Sequence, residues 1–204
     1  MQWLTDVREL HAIAQEGLTY ARSPYDLQRY RRLLDLAERM ATALAGGEPD
    51  PVRLELTEDA GYLTPKLDVR AAVHDDRGRI LLVEETEDGR WSLPGGWADV
   101  NESLVEGTVR EVREESGYEV VPDRLLGIYE RERWGHPPLV HFTLKAVLRC
   151  RLIGGTPTTS TETAGCGWFA REEIPPLSLT RTSPQLLRRV FEHHDVPGLP
   201  PDLD

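Results

Sequence analysis

The hydrophobic period of the chain changes once, at the breaker-rich stretch Gly46-Gly47-Glu48-Pro49-Asp50-Pro51, and that change limits the fold more than any other feature. Before it, Trp3, Val7, Leu10 and Ala14 recur at helical spacing, and Tyr30, Leu33, Leu34, Ala37, Met40, Ala41 and Leu44 form a second helical stripe. Ser23-Pro24 gives the second helix an N-cap and a first-turn proline, and Gly46-Gly47 ends it. Two helices alone cannot bury both stripes. They are expected to pack on the rest of the chain or on a second copy, which makes a homodimer the expected assembly.

After the break the period shortens. Residues 67–74, 80–85 and 91–93 read as strands, the first two joined by Asp75-Asp76-Arg77-Gly78. Residues 103–116 read as a helix closed by Gly117. Strands at 125–132 and 140–153 flank the loop Arg133-Trp134-Gly135-His136-Pro137-Pro138, 166–170 reads as another short strand, and Ser183-Pro184 opens a last helix carrying Leu186, Leu187, Val190 and Phe191. Strands and helices mix without a regular βαβ repeat, so the expected class is α+β, an α/β/α sandwich behind a small helical domain. The expected boundaries are 1–50 for the helical region, 51–64 for a connector, 65–196 for the main domain and 197–204 for a loose tail.

Composition narrows the partners. The 204 residues are 39% hydrophobic and 29% charged, no apolar run reaches the roughly 20 residues of a membrane span, and the N-terminal residues lack a signal-peptide pattern, so a cytoplasmic address is expected. The net charge of −11 argues against nucleic acid as the main partner. Cys150 and Cys166 have no CxxC spacing and read as free thiols in apolar surroundings.

The chemistry concentrates in residues 95–117. On a helix at 100° per residue, Glu111, Glu114 and Glu115 fall within about a 100° arc, beside an apolar arc of Leu104, Val105, Val109 and Val112. Carboxylates this close repel, and a hard divalent cation with oxygen ligands removes the conflict, which points to Mg²⁺, with Mn²⁺ as the alternative. The Gly95-Gly96 loop can bring a backbone carbonyl to the same ion. An ordinary solvated helix face carrying ion pairs is the competing reading of three glutamates taken alone.

The spacing of the whole segment decides between them. Gly96, five residues, Glu102, seven residues, Arg110-Glu111, Val112, one residue, Glu114-Glu115, one residue and Gly117 resembles the Nudix box, with Tyr118 departing from the usual aliphatic at the next position. The resemblance to Nudix hydrolases implies a mixed sheet between helices and hydrolysis of a nucleoside-linked diphosphate by water. It implies Glu111, Glu115 and Glu114 as metal ligands together with the Gly95 carbonyl, and Glu102 with Arg110 as a buried pair orienting the loop on the helix. Many family members carry a glutamate three residues before the Trp-Phe of the last strand. Here Trp168-Phe169 is preceded at that position by Gly165, so the base falls to Glu162 or to a box glutamate.

The helical pair near Trp3-Leu4, residues 62–73, residues 91–100 and the loop with Gly135-His136-Pro137-Pro138 resemble a bacterial Nudix subgroup that acts on CDP-choline and ADP-ribose and dimerises through an N-terminal helical domain. Asn101 stands where glycine is more usual. Arg70, Trp97 and His136 are the candidate substrate contacts, for a phosphate, a nucleobase and the leaving group or base, respectively. The expected activity is Mg²⁺-dependent hydrolysis of a nucleoside diphosphate derivative to a nucleoside monophosphate and a phosphorylated X group. A noncatalytic nucleotide sensor and an RNA-acting pyrophosphohydrolase or exonuclease are the alternatives.

Overall fold

The computed structural model describes residues 2–44, 61–139 and 141–204. The expected helix stop at Gly46-Gly47 and most of the expected connector lie outside those residues. Contacts divide the chain into two compact units, one of residues 1–66 with 138–142 and one of 67–137 with 143–204. In the first unit α1 (Gln2–Tyr20) and α2 (Pro24–Leu44) pair through Val7, Ala41 and Met40. Gly17 permits their close approach, since a Cβ there would lie 2.2 Å from the Tyr30 ring. No described helix is long and apolar enough to cross a membrane.

The second unit holds two sheets. Strands β1 (Lys66–Val73), β5 (Thr143–Gly155), β4 (Tyr118–Glu130) and β7 (Asp202–Leu203) lie side by side in that order, and β3 (Trp91–Ser92), β2 (Ile80–Glu85) and β6 (Thr163–Phe169) form the other sheet. The pairing β4–β5 is antiparallel and β4–β7 parallel, so the sheet is mixed. Alternation along the strands makes two cores. Val69, Ala71, Val73, Leu81, Ala146 and Leu148 pack with Val112 of α3 (Leu104–Ser116), whereas Ala72, Ile80, Leu82 and Val147 pack with Leu186, Leu187, Val190 and Phe191 of α4 (Pro184–Asp195). Helices on opposite faces complete the expected sandwich.

Two expectations are corrected. Strand β4 starts at Tyr118, seven residues before the expected 125, because register shifts around Pro122 and Leu125 carry the pairing past a proline that would otherwise stop it. Residues 197–204 are not loose. Asp202 accepts hydrogen bonds from Tyr129 Oη (2.8 Å), from Arg189 Nε and Nη2, and pairs with His193 Nε2 at 2.9 Å, while β7 pairs with β4. These bonds hold the Asp202 carboxyl well below the usual range, chiefly through Arg189. Asp202→Ala is expected to lower the melting temperature by about 5 °C, because Tyr129 and His193 each lose a buried partner; a scan of both proteins in one buffer checks this.

Candidate active site

Ser103 and Gly117 set the ends of α3. The Ser103 hydroxyl accepts from the Glu106 amide while the Glu106 carboxylate accepts from the Ser103 amide, and Gly117 closes the helix at φ 74°. The face turned inward carries Gly107, Thr108, Glu111, Val112, Glu115 and Ser116. Glu111 and Glu115, expected beside the apolar arc, ride the buried face itself, where small neighbours leave them room, whereas Val105, expected within that arc, points to solvent with Glu114.

The Gly95-Gly96 loop closes over these two carboxylates. Gly95 donates its N–H to Glu115 Oε2 at 2.7 Å, and a Cβ on Gly96 would lie 2.9 Å from Glu111 Oε1. The Pro94 and Gly96 carbonyls accept from Ala71 and Val69 of β1, whereas the Gly95 carbonyl takes no hydrogen bond among the described residues. Burial pushes the Glu115 carboxyl up to about 8, with Glu111 and Glu85 adding to the rise and Arg70 and the Gly95 amide opposing it. Burial raises Glu111 as well.

Arg110 organises the rest. Its Nε and Nη2 bond both oxygens of Glu102 at 2.9–3.2 Å, and its Nη1 bonds Glu111 at 2.9 Å and Glu114 at 3.2 Å. The Glu102–Arg110 pair joins loop to helix, though it is half-buried and not interior. Asn101 is the only non-glycine residue with positive φ among the described ones, at 72°, which explains in physical terms why glycine suits that position.

As the side chains stand, no three His, Cys, Asp or Glu groups among the described residues converge as metal ligands. Their chemistry nevertheless fits a hard divalent cation. The donors are all oxygen, Glu111 and Glu115 are desolvated, the Glu111 charge raises the proton affinity of Glu115 and that of Glu114 raises Glu111, and Arg110 meets part of the charge.

Other expected site residues land differently. Trp97 is 49% exposed beside the glycine loop, its backbone in a bridge with Asp68. Arg70 is not open to a substrate phosphate. It is 2% exposed, donates through Nε and Nη2 to both oxygens of Asp68 at 2.8 Å and through Nη1 to the Leu93 carbonyl, because β1 turns it into the interior. His136 is buried, its Nδ1 2.9 Å from the Leu179 carbonyl. Glu162 is exposed before β6, where its main-chain carbonyl accepts from Thr86, and its side chain is not drawn into the carboxylate group.

The buried carboxylate that does adjoin the group is Glu85, which sequence reasoning missed. It is 1% exposed, accepts from Ser92 Oγ at 2.5 Å and pairs with Arg181 at 3.1 Å. A signal was present: Leu81, Val83 and Glu85 share one strand face, the face toward α3. Lys145, one of two lysines among the 24 basic residues, is buried as well, its Nζ 3.1 Å from Asp68 Oδ1.

The comparisons fit this geometry. Residues 64–190 match the NUDIX domain model, and residues 1–54 match a UDP-X-like N-terminal oligomerisation domain. The chain is 36% identical over 191 residues, 94% of its length and 91% of the relative's, to YjhB of Bacillus subtilis strain 168, a protein provisionally named an ADP-ribose pyrophosphatase. A crystal structure of an ADP-ribose pyrophosphatase from Streptococcus suis is 37% identical, with a TM-score of 0.63 over 69% of this chain and 100% of that one. A crystal structure of a UDP-X diphosphatase is 28% identical, with a TM-score of 0.65 over 100% of this chain and 98% of that one. A box whose loop and helix fold onto each other around two buried glutamates, in a chain matched by both models, makes this protein a member of the Nudix family, a pyrophosphohydrolase with an N-terminal oligomerisation domain.

Proposed function

We propose that the enzyme hydrolyses the diphosphate of a nucleoside diphosphate derivative, of the ADP-ribose or UDP-X type with CDP-choline as the further candidate, giving a nucleoside monophosphate and a phosphorylated X group. The observation that carries this is the loop–helix unit in which Gly95 and Gly96 close on Glu115 and Glu111. Near full-length likeness to an ADP-ribose pyrophosphatase-type relative and to a UDP-X diphosphatase supports the substrate class.

Glu111, Glu115, Glu114 and the Gly95 carbonyl are the groups that would hold a divalent ion, Mg²⁺ before Mn²⁺, and such an ion when bound supplies charge neutralisation at the diphosphate. Water adds to one phosphorus as its bond to the bridging oxygen breaks, and the water's proton passes to a box carboxylate. Glu114, with a side chain 55% exposed, is the one open to it. Glu102 and Arg110 keep the loop at its distance from the helix, and Trp97 offers a face for the base to stack on. The helical unit is the proposed dimer contact, for which sedimentation of the full chain is expected to give twice 23.1 kDa. A cytoplasmic location belongs to the same reading.

The test is a screen of ADP-ribose, UDP-sugars and CDP-choline with Mg²⁺, Mn²⁺ or a chelator, with products identified by mass. Release of nucleoside monophosphate with Mg²⁺, abolished by chelation, is expected; no monophosphate from any of these compounds would overturn the proposal.

A further inference from the structure

Glu85 is out of keeping with its neighbours. Leu81 and Val83, on the same strand face, are fully buried and apolar, and an apolar residue at 85 would extend that core without the cost of taking a carboxylate out of water. Stability alone therefore does not call for an acid here. Its two oxygens are divided: Oε1 accepts from Ser92 Oγ at 2.5 Å, and Oε2 takes Arg181 Nε at 3.1 Å. Arg181 also meets Glu87, but that side chain is 78% exposed, so Glu85 is the partner that fixes the guanidinium.

Ser92 stands three residues before Gly95, and the backbone between them is held from several elements. The Leu93 amide donates to Thr182 Oγ1 at 2.9 Å, and the Leu93 carbonyl accepts from Arg70 Nη1 at 3.0 Å. The Pro94 carbonyl accepts from the Ala71 amide at 2.8 Å, and the Gly95 amide donates to Glu115 at 2.7 Å. On the other side of Ser92, Trp91 donates to the Pro176 carbonyl at 3.0 Å and accepts from the Ser178 amide at 2.9 Å. Glu85 and residues 176–182 thus back the short strand that delivers the glycine loop to α3. Within 92–95 the Ser92 hydroxyl is the one polar side chain, and Glu85 is its short acceptor; the other, the Leu93 carbonyl, lies at 3.3 Å.

We propose that Glu85 is a positioning residue for the reaction: through Ser92 it holds the 92–95 backbone in register, so that Gly95 keeps its place on Glu115, while Arg181 holds the carboxylate itself. This rests on the function proposed above. A carboxylate suits the task because it accepts two hydrogen bonds in different directions, one from the strand that must be held and one from the loop that holds it. The placement matters because a displacement of about 1 Å in a catalytic loop costs turnover out of proportion to its cost in stability. Glu85 touches neither substrate nor reacting atoms in this role; its effect reaches them only through Ser92 and Gly95.

S92A, E85M and the double variant of the full chain test the role. Alanine removes only the hydroxyl. Methionine keeps the approximate volume of Glu85 and leaves Arg181 free to turn to Glu87 and solvent, so a merely structural acid would be replaced with no change in the turnover of the folded enzyme. Main-chain hydrogen exchange in residues 92–98, read by mass spectrometry without substrate, is expected to quicken about tenfold in S92A and in E85M, with α3 unchanged. With ADP-ribose, kcat is expected to fall about tenfold in each while KM stays within about twofold, and the double variant is expected to stay within about twofold of E85M. Wild-type exchange or wild-type kcat in S92A overturns the positioning role, and so does a double variant slowed by the product of the two single losses. If E85M does not fold, S92A decides by itself. Faster exchange in S92A, in a protein that turns over none of the compounds screened above, overturns the proposed reaction and leaves the hold of Glu85 on the loop; wild-type turnover with an unaltered S92A overturns the positioning role alone.

Discussion

Glu115→Gln is expected to fold and to lose turnover by about 10³-fold. The amide keeps an oxygen for the Gly95 N–H at the 2.7 Å contact, so the loop stays on the helix, while the negative charge that would meet a divalent ion is gone. The same variant has a second signature in the absence of metal. The native state holds the Glu115 proton up to about pH 8, whereas the ordinary value is 4.5, so between those values the unfolded chain binds fewer protons and native stability falls as pH rises. The loss is on the order of a few kcal/mol for a carboxylate this buried. Glutamine does not titrate. Chelated wild type and variant are therefore expected to melt together near pH 5, with the variant melting higher at pH 8.5; parallel melting curves across that range would show that Glu115 is not desolvated as described.

Gly95→Ala is expected to be the most destructive change outside the carboxylates, costing about 3–5 kcal/mol and the activity with it. The backbone there has φ 140°, and an added Cβ would lie 2.0 Å from the Val69 carbonyl and 2.9 Å from Arg70 Cα, so relief requires β1 or the loop to move. Gly89→Ala is the control: its φ is 64°, yet nothing lies within 4 Å of the new Cβ, so only the conformational cost of about 1 kcal/mol is expected. A denaturant midpoint for each variant separates crowding from backbone preference; equal shifts would mean that the close approach to β1 does not matter.

What could be read from residues alone followed local rules. Helix α3, its closure at Gly117, the Pro184 start of α4 and the first two strands all announce themselves by period and punctuation, and the box spacing located the carboxylates. The depth of those carboxylates was hidden, because burial depends on which helix face meets β1, and the glutamates straddle the boundary between the apolar and polar arcs. Arg70 was misplaced for a similar reason. A charged residue on a strand reads as an edge until its partner, Asp68 two residues earlier on the same face, is seen to neutralise it in the interior. Strand β7 carries no signal of its own; Pro200-Pro201 suggests a loop, and only Tyr129, Arg189 and His193 from distant elements make Asp202 an anchor.

Arg110 bonds Glu102, Glu111 and Glu114 at once, and Asp99 lies 3.5 Å from its Nη2. Any divalent ion that takes up Glu111 and Glu114 must therefore win them from a guanidinium already in place. Cation uptake there would be an exchange of counter-ions, its affinity a difference between two attractions. On the proposed function, such a helix would bind a divalent ion weakly by itself and more firmly together with a diphosphate, whose oxygens would add ligands that Arg110 does not contest. Arg110 gathers Glu111 and Glu114 on one guanidinium nitrogen and would set the threshold that a metal–substrate complex has to exceed.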